Sequence, residues 1–277
     1  VALLGGGLLV ALSLHMTGGI DTVRAGLGSI SGEYTSLTSA SGIEVLLGYG
    51  LPMAIGLISG PFGDQCFWQR AFAVRKDRIG RAFFAGALLF ALVPLSMGTV
   101  GFLAAGAGFI ANDAGMVNFE FVSSLLPAWV LVPFLCMIVS GLLSTVDSNL
   151  CAAASLTTDW LGIGKDTVQT SRRTMLCLLA VAIAIANIPG LTVTYLFLFY
   201  GTLRASTLLP TVMTLLGKKL TGKGVFIGVL TALCVGLPIF AYGNLAGLPA
   251  VKAAGSLTTV LSSGIVAAIA SRKAVKA

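Results

Sequence analysis

Ser140, Ser144, Thr145, Asp147, Ser148, Cys151 and Ser155 interrupt an apolar stretch at three- and four-residue steps, the spacing that gathers side chains on one helical face. A carboxylate at bilayer depth costs roughly 2.5–3.5 kcal/mol on insertion scales, so Asp147 requires an ion, a base or water opposite it. Hydroxyl and carboxylate oxygens suit a hard cation such as sodium, whereas softer ligands suit transition metals. The serines have another option, which is to bond back to their own helix carbonyls while Asp147 bonds a neighbouring helix. With Asp147 among them, the stripe reads as an ion or proton site.

A second stretch is unusual in its backbone. Gly48, Gly50, Pro52, Gly56, Gly60, Pro61 and Gly63 crowd one apolar segment. Glycine lowers helix propensity and proline removes a donor, so the pattern predicts a helix that breaks or unwinds. Irregular backbone at membrane depth is tolerated only against protein or a water-filled cavity, and broken helices mark substrate sites in secondary transporters. Gly56-x-x-x-Gly60 equally fits a small-residue contact between helices. Arg204 is the one basic residue that the sequence places inside an apolar segment. It pairs with Asp147, binds an anionic group of cargo, or reaches to an interface. Tyr195 and Tyr200 share its segment and read as cavity-lining groups or as interfacial anchors. His15 reads as a packed or interfacial residue.

These residues need long helices to carry them. Of 277 residues, 56% are apolar and only 10% charged, with mean hydropathy +0.98. A soluble domain usually carries about a quarter charged residues, so soluble enzymes, nucleic-acid binders and disordered chains are excluded. The fold class is all-α, a polytopic transmembrane bundle forming a single domain over 1–277. A span needs roughly 20 apolar residues, which places spans at about 1–16, 45–63, 82–111, 126–157, 174–188, 191–216, 225–242 and 253–270. Val1–Met16 has no basic leader and reads as the tail of a membrane helix that begins upstream. Pro189-Gly190 turns the fifth span into the sixth. Fourteen of the 17 basic residues fall on alternate connections: Arg70 to Arg81, Lys165 to Arg173, Lys218 to Lys223, and the tail from Arg272. Basic residues concentrate in short cytoplasmic loops, which puts the C-terminus inside. The five cysteines show no metal or disulfide spacing, and no cofactor is expected.

Three motifs resemble the sodium:solute symporter family, whose members have a leucine-transporter-like fold. They are Gly63-Asp64-Gln65-Cys66-Phe67-Trp68-Gln69-Arg70-Ala71; Leu143-Ser144-Thr145-Val146-Asp147-Ser148 continuing to Thr157-Thr158-Asp159-Trp160; and Gly217-Lys218-Lys219-Leu220-Thr221-Gly222-Lys223-Gly224. The resemblance implies the second inverted repeat of that fold plus two extra helices, with the N-terminal half missing. It also implies that Ser144 and Thr145 give hydroxyl ligands to a coupling sodium, with the Gly141 carbonyl nearby. Asp147 and Ser148 match where some members hold a second sodium.

The expected function is sodium-coupled import of a small solute by alternating access across the plasma membrane. Its partners are the bilayer, the solute and sodium, with no nucleic acid. Cargo is expected against the break, at Gly56, Ser59, Gly60, Pro61 and Phe62. Ser59-Gly60-Pro61-Phe62 stands where sugar-carrying members place aromatics. A compact amino acid, urea-like compound or small carboxylate therefore fits better than a sugar. The rival reading is a transporter-like sensor domain fused to a signalling module. One histidine, with neither His-Glu-x-x-His nor Gly-x-Ser-x-Gly, argues against a membrane enzyme.

Overall fold

The computed structural model describes residues 2–33, 36, 38–161 and 167–276; Val1 and Lys165, both used above, lie outside them. Among the described residues the regular structure is all helical and contains no strand. Seven helical segments are long and apolar enough to cross a membrane, and Gly6–Met16 is a shorter apolar helix. The tertiary contacts fall into two compact units, residues 1–42 with 72–151 and residues 43–71 with 152–277.

The first unit is built from α1 (Ala2–Met16), α2 (Ile20–Gly26), α6 (Ile79–Gly106), α7 (Val117–Leu125) and the first two-thirds of α8 (Ala128–Leu161). Its core joins Leu9, Val100, Leu103, Phe121, Val122, Val130 and Phe134 from four of these helices. Phe109 meets Phe121 edge-on with centroids 5.4 Å apart, an arrangement aromatic rings favour. The connection before α7 is closed by Glu120, whose carboxylate accepts from the Asn112 backbone N–H at 2.9 Å and its side-chain amide at 3.2 Å.

The second unit contains α3 (Ala40–Val45, from Ile43 onward), α4 (Leu51–Gly63), most of α5 (Gln65–Ala73), α9 (Thr167–Ala186), α10 (Val193–Leu215), α11 (Gly222–Thr231), α12 (Leu237–Leu245) and α13 (Pro249–Lys276). A π-helical turn, Leu46–Gly50, joins α3 to α4, and another, Ala232–Gly236, joins α11 to α12. Each is followed by Leu-Pro, at Leu51-Pro52 and Leu237-Pro238. A proline ring clashes with the carbonyl four residues earlier and leaves it without its usual donor; a wide turn just before the proline absorbs both effects. α13 packs against α10, α11 and α12 and carries the buried hydroxyls Ser256, Thr259, Ser263 and Ser271. Thr259 bonds back to Gly255, while Thr202 of α10 and Ser256 of α13 pair across helices at 3.3 Å.

A helix lies at each expected span; seven are of spanning length, the first is shorter, and the limits differ, the third ending at Gly106 rather than 111. The fifth is the 20-residue α9, which begins at Thr167 rather than 174 because the polar run Thr167–Arg173 winds as its first turns. The last begins at Pro249, a proline suited to a helix start, and so brings Lys252 into a helix instead of a loop. The turn at Pro189-Gly190 is present, with Gly190 at φ +83°.

The expectation of a helix broken between Gly48 and Gly63, with its gap at Gly56–Phe62, is corrected. Leu51–Gly63 winds as one α-helix, although Pro61 lies inside it. Tight packing explains why. A Cβ on Gly56 would lie 2.8 Å from the Gly201 Cα, so these glycines let α4 and α10 approach almost backbone to backbone. The break falls one residue beyond the segment, at Asp64.

Candidate functional site

Asp64 stands between two helices in extended geometry, φ −105° and ψ 117°. Its backbone N–H donates to the Gly60 carbonyl at 3.0 Å and closes α4. Its Oδ1 accepts from the Cys66 N–H at 3.2 Å and caps the start of α5, satisfying a donor that a helix start leaves orphaned. The indole of Trp68 reaches back 3.2 Å to the Phe62 carbonyl at the end of α4. One residue therefore ends one helix and starts the next.

The other carboxylate oxygen faces α10. Arg204 Nη2 lies 3.1 Å from Asp64 Oδ2, and the two side chains are 21% and 11% exposed. Tyr200 donates its hydroxyl to the same Oδ2 at 3.4 Å, and its ring lies 4.0 Å from the guanidinium carbon of Arg204. Positions 200 and 204 are one helical turn apart, so both side chains rise from one face. The glycines make room for the cluster: a Cβ on Gly60 would sit 3.1 Å from Arg204 Nη1, and one on Gly63 would crowd Thr207. Gly56, Gly60 and Gly63 meet Gly201, Arg204 and Thr207 in the same order, so α4 and α10 run parallel. Arg204 is the midpoint of α10, whose 23 residues can cross a membrane. The joint therefore lies half-way along a spanning helix.

Arg204 is thus paired, and its partner is Asp64. In the sequence that partner stands out only as part of a motif. The usable signal is an acid directly after a Gly/Pro-rich span and a lone arginine within another. Spacing does not choose between Asp64 and Asp147. Of the expected cargo residues, Gly56 is taken up in helix packing, and Ser59 is fully buried with its hydroxyl on the Ile55 carbonyl at 2.6 Å. Gly60 borders Arg204, Pro61 is exposed, and Phe62 is partly exposed.

Cys66 is 8% exposed, at the start of α5 and two residues beyond Asp64.

The polar stripe lies on α8 as expected. Ser140, Gly141, Ser144, Thr145, Asp147 and Cys151 are exposed, and Ser148 is partly so. Ser140 donates to the Met137 carbonyl at 2.9 Å, Thr145 to Gly141 at 3.0 Å and Ser148 to Ser144 at 2.8 Å. These hydroxyls follow the local option and bond back along their own helix. A hydroxyl keeps acceptor capacity after donating, so the Ser144 and Thr145 oxygens still suit a hard cation, whereas the Gly141 carbonyl already accepts from the helix and from the Thr145 hydroxyl. Among the described residues, no group of three or more His, Cys, Asp or Glu side chains could hold a metal.

Seven apolar helices of spanning length, and a jointed helix with a charged pair against its neighbour, define a polytopic membrane protein. The profile of the sodium:solute symporter family matches residues 1–232, and the chain belongs to that family, one of transporters rather than enzymes. It is similar to the urea-proton symporter DUR3 of Oryza sativa subsp. japonica, 25% identical over 274 aligned residues that cover 88% of this chain and 37% of that protein. The chain spans little more than a third of that relative's length. No solved structure matches it.

Proposed function

We propose that this chain is the jointed-helix part of a sodium-coupled symporter that imports a small polar solute by alternating access. The observation that carries the reading is the joint at Asp64, half-way along α10, where helix ends, a carboxylate, a guanidinium and a phenol meet. Interrupted backbone beside polar groups is how transporters of this kind hold cargo near mid-membrane. Cargo sits on the side of the joint formed by Gly60, Pro61 and Phe62, with Gly56 and Ser59 shaping the wall behind it. Asp64 already neutralises Arg204, so the surface offers both donors and acceptors without net charge. That favours a compact neutral solute of the urea or amide type, in keeping with the urea carried by the rice relative.

Sodium is the proposed coupling ion, held by Ser144, Thr145 and the Gly141 carbonyl, with Asp147 and Ser148 one turn further on. A bound ion drives a conformational change only through different affinities for the two states, so its remaining ligands come from an element that moves relative to α8. The C-terminus lies in the cytoplasm, as the basic connections favour, and the membrane is the plasma membrane. A proton-coupled mechanism is the second reading, because the relative is a proton symporter.

The test is uptake by the natural protein containing this chain, in vesicles, under a sodium or a pH gradient. Replacing Ser144 and Thr145 by Ala should raise the sodium concentration for half-maximal uptake by about tenfold, the loss of about 1.4 kcal/mol of ion binding. Unchanged sodium dependence sinks the ion assignment, and uptake driven only by the pH gradient selects the second reading.

A further inference from the structure

The guanidinium of Arg204 is used unevenly. Nη2 meets Asp64 and Tyr200 stacks on the group, yet Nε is buried without a hydrogen-bond partner among the described residues. A buried donor left unpaired costs about 1–3 kcal/mol. The cluster is therefore held by its ion pair against a standing penalty. The two sides of the joint also differ in kind. α4 is fixed to α10 by backbone packing at Gly56 and Gly201, whereas α5 is fastened to α4 by the Asp64 cap and the Trp68 indole. Asp64, the only residue between the two helices, is extended, in a broad region where ψ ranges over roughly 100–180°.

We infer that Asp64 and Arg204 are positioning residues, their ion pair acting as a clasp that holds the α4–α5 joint against the middle of α10. When the clasp opens, α5 turns about Asp64 while α4 stays packed. The inference rests on the alternating-access reading for its purpose, but the clasp can be tested without any cargo.

Cys66 is the reporter, because it is buried and adjoins the hinge. The measurement is the rate at which N-ethylmaleimide labels Cys66 in the natural membrane-embedded protein, read by mass spectrometry of its peptide. In Arg204→Gln, a joint that stayed closed would leave Cys66 as buried as before and its labelling no faster. An opened clasp gives the opposite outcome, and labelling at least about tenfold faster is expected from the loss of a charge-assisted hydrogen bond. Should Arg204→Gln fail to fold, the neutral double variant Asp64→Asn/Arg204→Gln leaves no charge unpaired and is expected to label as fast. Labelling that is unchanged or slower in the folded variants overturns the clasp.

A merely structural pair would not respond to the coupling ion. Wild-type labelling is therefore compared in sodium and in choline medium, with a difference expected that the double variant abolishes. A sodium effect that persists in the double variant overturns the positioning role. Fast labelling in Arg204→Gln beside a wild-type rate equal in both media supports the clasp and counts against sodium as its trigger.

Discussion

Asp64 divides one carboxylate between two tasks, Oδ1 on the α5 backbone and Oδ2 on Arg204 and Tyr200. Taking two charges out of water is expensive, and removing one partner of a buried pair leaves the other uncompensated; such losses run to about 3–5 kcal/mol, while replacing both is often near neutral. Arg204→Gln should therefore lower stability far more than Asp64→Asn/Arg204→Gln, measured as the melting temperature of the purified protein in detergent. Equal losses would mean that the charges do not depend on each other. In the neutral background, Asp64→Ala should cost about 1 kcal/mol beyond Asp64→Asn, because it also removes the cap. At this scale the sequence reveals which residues are costly to bury and hides who pairs with whom. Arg204 stands out as a cation in an apolar run, but its partner is 140 positions away and nothing local points to it. The stripe on α8 is legible as a stripe because it is local; whether its hydroxyls face inward or bond back depends on the neighbours of α8.

At the scale of elements, glycine is the ambiguous signal. The same residues that lower helix propensity let helices touch, and at Gly56 and Gly201 contact prevails, so α4 stays wound through Pro61. Proline is ambiguous too: Pro52 and Pro238 sit at helix starts behind π turns instead of breaking the chain. Packing and propensity separate cleanly by substitution. Gly56→Leu would drive a side chain into the Gly201 backbone and should cost about 1–3 kcal/mol or more. A Cβ added to Gly86 of α6 would meet no neighbouring atom within 4 Å, so Gly86→Ala should stabilise by about 0.4–1 kcal/mol through the unfolded chain. Melting temperatures that move in opposite directions support the assignment of α4 as a packed helix; a harmless Gly56→Leu contradicts it.

For the whole molecule, hydropathy carries most of the information. Runs of about 20 apolar residues leave few alternatives to a spanning helix, so the order of the spans is readable, while their limits shift by several residues in either direction. Short helices such as α2, α5 and α7 escape notice, because seven to nine residues give too little periodicity to stand out. The basic connections predict sidedness directly: trypsin should cut at Lys218-Lys219 in inside-out vesicles and spare that bond in right-side-out ones. The central claim, cation-driven solute movement through the jointed helix, is tested most directly by radiolabelled urea uptake into proteoliposomes of the natural protein. An inward sodium gradient should accelerate accumulation several-fold over equal sodium on both sides, and collapsing the gradient should abolish the gain. Urea entry at the same rate with and without sodium or pH gradients, and no gradient-driven uptake of small amides or amino acids, would contradict it.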